Sequence, residues 1–160
     1  MSFLRFLMVL SLIVWVGGLI FFPVVAQTAF SVLPSRHLAG LVVGRSLGVL
    51  HWMGIISGFV FLASSILYNR LSSGTAHVFA ARHLLICLML VLTLISQFNI
   101  IPRMDTLRAA IPGEIDSVPA DNAARMQFDA LHVWSTRLEG GVLLLGLAVV
   151  FLTSRQFSAV

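Results

Sequence analysis

Long uncharged stretches dominate the pattern of hydrophobic and polar positions along the chain. Three of them run for at least 20 residues without Asp, Glu, Lys or Arg: 6–35, 46–69 and 83–102. About 20 apolar residues are needed to cross the hydrocarbon core of a bilayer. A fourth stretch, 140–154, has only 15 residues, so a helix crossing there must begin near His132 and take Arg137 and Glu139 into the membrane or its interface. The pattern predicts four transmembrane helices, at about 6–30, 46–69, 83–102 and 132–154.

The connections between these helices differ in length. The first two are short, whereas a polar loop with a helical extension, 103–131, holds five of the six acidic residues. Pro112-Gly113 breaks this segment, and Pro119 with Asp121 is typical of a helix start. One helix is therefore expected to continue from there to about Ser154. We treat residues 1–160 as a single transmembrane domain with both termini on the same side.

Composition supports a membrane protein and excludes other classes. Hydrophobic residues make up 59% of the chain and charged residues only 10%, against about a quarter charged in soluble domains. The ten positive residues are all Arg and are scattered, with a formal net charge of +4, which excludes a nucleic-acid-binding patch. We expect an all-α, multi-pass four-helix bundle in the lipid bilayer of a bacterial inner membrane. Arg residues are balanced between the two faces, so orientation stays open.

The two halves of the chain share a weak repeat. Phe22-Pro23 corresponds to Ile101-Pro102, and Leu50-His51-Trp52 corresponds to Leu131-His132-Val133-Trp134. The repeat predicts two parallel helical hairpins. His51 and His132 would then lie toward the same membrane face.

The second predicted helix carries a stripe of mostly small residues. The stripe favours a seam of close helix packing, from which His51 is also able to project into a site. Its members are Gly44, Gly48, His51, Ile55, Gly58, Leu62 and Ser65.

A polar stripe follows the last predicted helix, at Arg125, Asp129, His132, Thr136 and Glu139. Polar groups in a membrane helix face the protein interior or water, so the stripe indicates either the wet mouth of the bundle or a functional site. Asp129 is placed to hydrogen-bond His132 one turn later. Arg137 lies off the stripe, and its predicted partners are Gln97 and Asn99.

The remaining chemistry-bearing residues suggest no reaction. His37, His77 and His83 are expected at the membrane interface, and Cys87 is expected to be a buried small hydrophobe. No phosphate loop, nucleophile elbow or zinc-type motif occurs. The sequence therefore favours a non-enzymatic role and leaves enzymatic activity open.

Three blocks of the sequence suggest a family. They are FLRFLMVLSLIVWVGGLIFFPVVAQTAFSVLPSRHLAGLVVGRSLGVLHWMGIISG (3–58), SQFNIIPRMDTLR (96–108) and FDALHVWSTRLEGGVLLLGL (128–147). Together they resemble the bacterial transmembrane-protein-205-like family, which implies a four-helix membrane domain without supplying a reaction. The chain is more distantly similar to copper-resistance-type membrane proteins and heme-containing protoporphyrinogen oxidases. Such oxidases use a first-helix histidine and a lysine, and this chain has neither.

The sharpest functional hypothesis is a heme b, or else a metal ion, held by His51 and His132 on neighbouring helices. Trp52 and Trp134 would flank the macrocycle, and Arg45, Arg103 or Arg125 would pair with its propionates. Asp129, Arg137, Glu139, Gln97 and Asn99 would form the surrounding polar path. Two other classes stay open: an accessory subunit of a larger membrane complex, and a small-solute or metal transporter that works as a homo-oligomer.

Overall fold

The computed structural model describes residues 1–74, 80–111 and 114–158. Throughout these ranges the regular structure is helical and no strand occurs. The α-helices are α1 (Ser2–Val32), α2 (Arg36–Ser73), α3 (Ala81–Ile95), α4 (Ile101–Ala109) and α5 (Ala123–Ser158), with a π-helical turn at Ser96–Ile100 and a 3₁₀ turn at Ile115–Ser117.

Four helical segments in this part of the chain are long and apolar enough to cross a membrane. They are Ser2–Val32, Arg36–Ser72, Ala81–Ala109 and Ala123–Arg155. The third combines α3, the π turn and α4, so residues 103–109 continue the helix, although the sequence places them in the polar loop. The predicted all-α four-helix membrane bundle is confirmed.

Local signals explain where the helices begin and end. The Ser35 hydroxyl accepts a hydrogen bond from the Leu38 amide and caps α2, as short polar side chains do at helix starts. Gly74 ends α2 at φ 70°, a left-handed conformation that glycine adopts without steric cost. Asn122 caps α5 through the Ala124 amide at 2.9 Å, close to the start expected at Pro119 and Asp121.

The interior of the bundle is built around Trp15. α1 packs most extensively on α2, and α3 packs on α5. The Trp15 side chain lies in the first interface, directly over Gly54 and Gly58 of α2, and is 2% exposed. The stripe of small residues is therefore a packing seam at Gly58. Nothing lies within 4 Å of the position of a Cβ at Gly44 or Gly48. At this end the stripe is therefore not packed against a neighbouring helix.

The outer faces of the helices are apolar, as expected for lipid contact. Cys87 lies on such a face with Leu84, Leu88 and Val91, all of them exposed. The expectation that Cys87 is buried is wrong. The cause is helical rotation, because α3 turns Ile86 and Met89 inward instead.

One end of the bundle holds a buried polar cluster, which we call the Arg82 end. The Arg82 guanidinium donates hydrogen bonds to Asn69 Oδ1 at 3.0 Å and to Ser65 Oγ at 3.1 Å. His83 Nε2 lies 2.8 Å from the same Ser65 hydroxyl, and its ring is buried. His83 is therefore buried between helices near the start of α3, and its predicted position at the membrane interface stays a prediction. His77 lies outside the described residues.

Replacing Asn69 by Leu is expected to lower the free energy of unfolding by about 2 kcal/mol, because a buried guanidinium loses a charge-assisted hydrogen bond. The measurement is unfolding by dodecyl sulfate in mixed micelles, followed by tryptophan fluorescence. Asn99→Leu is the matched control, since Asn99 is exposed on the same bundle. Equal losses in the two variants would contradict the prediction.

Candidate functional site

Three helices bring one ionisable pair and one amide together in the centre of the bundle. His51 of α2 is 1% exposed. Its Nδ1 lies 2.8 Å from Gln97 Oε1, and its Nε2 lies 2.6 Å from Glu139 Oε1. Each of the three residues falls near the middle of its membrane-crossing segment. We call this group the central triad.

The π turn positions Gln97. Pro102 lacks a backbone N–H, and its ring crowds the carbonyl of the residue four positions earlier, which disfavours a regular α-helix there. The helix widens into a π turn at Ser96–Ile100, which ends two positions before Pro102. Such turns occur often at functional sites because they redirect side chains. Here the turn carries Gln97, whose carbonyl oxygen contacts His51.

The geometry determines the proton count of the triad. An amide oxygen only accepts hydrogen bonds, so His51 Nδ1 carries the proton that it donates to Gln97. The short contact between His51 Nε2 and Glu139 Oε1 then holds one further proton. That proton resides on the imidazole, giving an ion pair, or on the carboxyl, giving a neutral pair. Both states have zero net charge, which suits a site away from water.

The bundle is closed on the side of the triad that faces the Arg82 end. Thr93 and Ser96 lie within a turn of Gln97, are almost fully buried, and have hydroxyls without a hydrogen-bond partner in the described part of the chain. Beyond them a layer of apolar side chains fills the interior. Its members, each at most 2% exposed, are Trp15, Phe61, Ile86, Met89 and Val142.

The opposite side of the triad is open. A groove of about 600 Å³ runs between the first half of α2 and the end of α4, toward what we call the Arg108 end of the bundle. Gly44 and Gly48 line it, Arg108 and Asp105 stand at its mouth, and Gln97 is its deepest polar residue. The triad is thus connected to a surface groove through Gln97.

The two predicted heme ligands do not meet. His132 is exposed and lies two helical turns before Glu139 on α5, whereas His51 is buried with both ring nitrogens engaged. Two turns correspond to about 10 Å along a helix. This arrangement does not offer an iron two axial imidazoles, since His51 Nε2 would first have to leave Glu139. The heme hypothesis stays a prediction.

The predicted flanking residues are dispersed over the surface. Trp52 and Trp134 are 49% and 56% exposed. Trp52 packs edge-on against Phe98, with ring centroids 6.0 Å apart, and Trp134 lies under the Arg137 guanidinium at 5.7 Å.

The structure does not show the predicted contacts of Arg137 and His132. The Gln97 side chain contacts His51, and Asn99 is exposed. Arg137 contacts neither of them and instead lies over the Trp134 ring. Asp129 lies 3.9 Å from Arg125 one turn earlier and makes no hydrogen bond to His132. Helical spacing permits both contacts, since Arg125 lies four residues before Asp129 and His132 three residues after it, and Asp129 lies toward Arg125.

The predicted propionate partners also lie apart from one another. Arg45 is exposed beside the groove. Arg103 lines a separate depression of about 610 Å³ between α4 and α5. Arg125 donates a hydrogen bond to the Val118 carbonyl at 2.6 Å.

Metal-binding capacity is limited to small groups of ligands. No cluster of three or more His, Cys, Asp or Glu side chains occurs among the described residues. The triad offers one imidazole nitrogen, one carboxylate and one amide oxygen. All three residues are candidates from the sequence, but the weak repeat favours His132, and not Glu139, as the partner of His51. The available signal was an acidic residue that the fourth helix must carry into the membrane.

Comparisons with known proteins identify a family and no characterised relative. Residues 10–112 match the family described as a domain of unknown function, DUF4149. No curated protein and no solved structure matches the chain. The family match spans α2, α3 and α4 and therefore includes His51 and Gln97, whereas Glu139 lies beyond it. Because the match covers well over half of the chain, this multi-pass membrane protein belongs to the DUF4149 family.

Proposed function

We propose that the protein is a membrane carrier that exchanges a proton for a metal cation at the central triad. The observation that supports this most directly is the contact of 2.6 Å between His51 Nε2 and Glu139 Oε1 in the middle of the bundle. Ionisable side chains at this depth are costly, and they commonly mark ion and proton pathways.

Loss of the shared proton creates a cation site. Without that proton, a lone pair of the imidazole faces a lone pair of the carboxylate, and the pair acquires one negative charge. An uncompensated buried charge is strongly unfavourable. A cation that enters between Nε2 and Oε1 replaces the proton. The two atoms, 2.6 Å apart with the proton in place, separate to about 3 to 4 Å to hold a metal at bonds of about 2 Å. The exchange releases one proton for each cation bound. A monovalent cation restores a neutral site, whereas a divalent cation leaves one positive charge, which water or an anion reaching the triad through Gln97 and the groove has to offset.

The ligand types favour a transition-metal ion over an alkali ion. Imidazole nitrogen suits divalent zinc, copper and nickel, whereas sodium and potassium prefer oxygen ligands. A set of only two strong ligands binds such a cation weakly, and a carrier must release its cargo. Four helices enclose little space of their own, so a complete path requires an oligomer.

Proton release on metal binding tests the proposal. Zn²⁺ is titrated into the purified protein in buffers that differ in ionisation enthalpy, and calorimetry reports the protons released per metal bound. We expect about one proton per protein with Zn²⁺, because ligands must deprotonate to bind a metal. Na⁺ is expected to release none.

The controls separate the triad from surface sites. Glu139→Gln and His51→Gln are expected to abolish proton release, whereas Asp121→Asn removes an exposed carboxylate and is expected to leave it unchanged. Undiminished proton release in Glu139→Gln would overturn the proposal, and so would Zn²⁺ binding by the parent protein without proton release.

Four finer predictions from the sequence stand beside this proposal. A heme held by His51 and His132 requires the triad to open. An accessory role in a larger complex, a bacterial inner-membrane location and a relationship to the transmembrane-protein-205-like family are compatible with a four-helix bundle. The proton–metal exchange proposal draws on none of them.

A further inference from the structure

We propose that the groove at the Arg108 end is a binding site for an anionic phospholipid. This inference goes beyond the exchange of ions at the triad and does not depend on it. The phosphate would lie at the mouth of the groove, and an acyl chain would extend along α2 toward Gln97.

The mouth of the groove is positively charged and preorganised. Arg108 is held by Asp105 at 3.1 Å, and its guanidinium lies 5.2 Å from the Phe128 ring centroid. It also reaches across to α2, where it comes within 3.6 Å of the position of a Cβ at Gly40. Arg45 adds a second guanidinium on the groove wall. Two guanidinium groups against one carboxylate leave a net positive charge for a phosphate.

The body of the groove is shaped for an alkyl chain. Gly44 and Gly48 present no side chain, and nothing lies within 4 Å of a Cβ built at either position. Val49 and Trp52 line the same wall and are largely exposed, as are the lipid-facing residues elsewhere on the bundle. The groove is therefore lined by apolar surface of the kind that contacts lipid.

The dimensions agree with one lipid leaflet. From His37 near the mouth to Trp52 beside Gln97, α2 rises about 20 Å at its usual pitch. Half of a bilayer, headgroup included, is also about 20 Å thick. Arg108 lies at the outer end and the Cα of Arg45 about 12 Å along α2 from His37, so the long Arg45 side chain has to extend back toward the mouth to reach a phosphate. The remaining wall toward the bilayer centre is small or apolar at Gly48, Val49 and Trp52. A water-soluble anion would use only the mouth.

Quenching of Trp52 by brominated lipids tests this site. The protein carries Trp134→Phe, so that Trp52 and the buried Trp15 are the remaining indoles, and is reconstituted in dioleoylphosphatidylcholine. Dibromostearoyl phosphatidylglycerol or dibromostearoyl phosphatidylcholine is added as a minor fraction. We expect the anionic lipid to quench at lower fractions, with a preference of about fivefold for each guanidinium that meets its phosphate.

Substitutions distinguish the contribution of the guanidinium charge from that of the open groove. Arg45→Gln is expected to lower the preference by about fivefold, whereas Arg103→Gln, at the other depression, is expected to preserve it. Gly48→Leu fills the groove without changing its charge and is expected to abolish preferential quenching. Gly17→Leu is its control, since Gly17 also has nothing within 4 Å of a built Cβ.

Three results would overturn the proposal. Equal quenching by the two brominated lipids would exclude recognition of the anionic headgroup. Preferential quenching that persists undiminished in Gly48→Leu would exclude the groove as the site of the lipid chain. Protection of Trp52 from both lipids would indicate that a second copy of the chain covers the groove.

Discussion

Removing one member of the His51–Glu139 pair is expected to destabilise the protein more than removing both. Glu139→Leu leaves His51 Nε2 buried without a partner, and His51→Leu leaves the carboxyl without its imidazole. Each single substitution should lower the free energy of unfolding by about 3 kcal/mol, because it leaves an unpaired buried polar group. The double substitution His51→Leu/Glu139→Leu should come within about 1 kcal/mol of the parent protein.

The measurement is a double-mutant cycle from reversible unfolding in mixed micelles. Thr136→Leu, which replaces an exposed polar residue one turn from Glu139, is expected to change stability by less than about 0.5 kcal/mol. If the double variant loses the sum of the two single losses, the residues act through packing alone. A stable double variant that releases no proton on Zn²⁺ addition would assign the pair to function.

Gly58→Ala is expected to destabilise the bundle, whereas Gly17→Ala is expected to stabilise it. A Cβ at Gly58 would lie 2.7 Å from Leu90 Cδ2 and 2.9 Å from Trp15 Cζ3. Trp15 is 2% exposed and has no room to move aside. Overpacking of this kind costs about 1 to 3 kcal/mol.

The opposite signs expected for the two stability changes test whether α1 and α2 depend on close packing at Gly58. Gly17 is exposed and has nothing within 4 Å of a built Cβ, so Ala there gains helix propensity of up to about 1 kcal/mol. Thermal unfolding in detergent compares the two variants with the parent protein. Similar shifts for both would mean that α1 and α2 do not rely on close contact at Gly58.

Fold class was predictable because its determinants are local. A long apolar stretch indicates a membrane-crossing helix wherever it packs, so the four segments follow from residue order alone. The continuation of the third segment through Pro102 was not predicted. Proline normally ends a helix in a sequence pattern, and that pattern does not show whether the helix ends near Pro102 or widens into a π turn before it, as it does at Ser96–Ile100.

Part of the candidate site was also predictable. Glu139 is a candidate from the sequence because the last helix is too short to cross the membrane without it. His51 is a candidate because it belongs to a stripe of small residues on the second helix. Their pairing was not predicted, since the weak repeat favoured His132 as the partner of His51. The structure places Glu139 there, and it leaves His132 on the surface.

The sequence by itself determined a membrane protein of four helices, because hydrophobic length and charge depletion act along the chain. Tertiary structure alone determined which polar residues meet. Each helix carries several polar positions, and the rotation of α2, α3 and α5 about their axes selects His51, Gln97 and Glu139 from them. That rotation is set by side-chain packing across the bundle, notably Trp15 against Gly54 and Gly58, which joins residues distant in sequence.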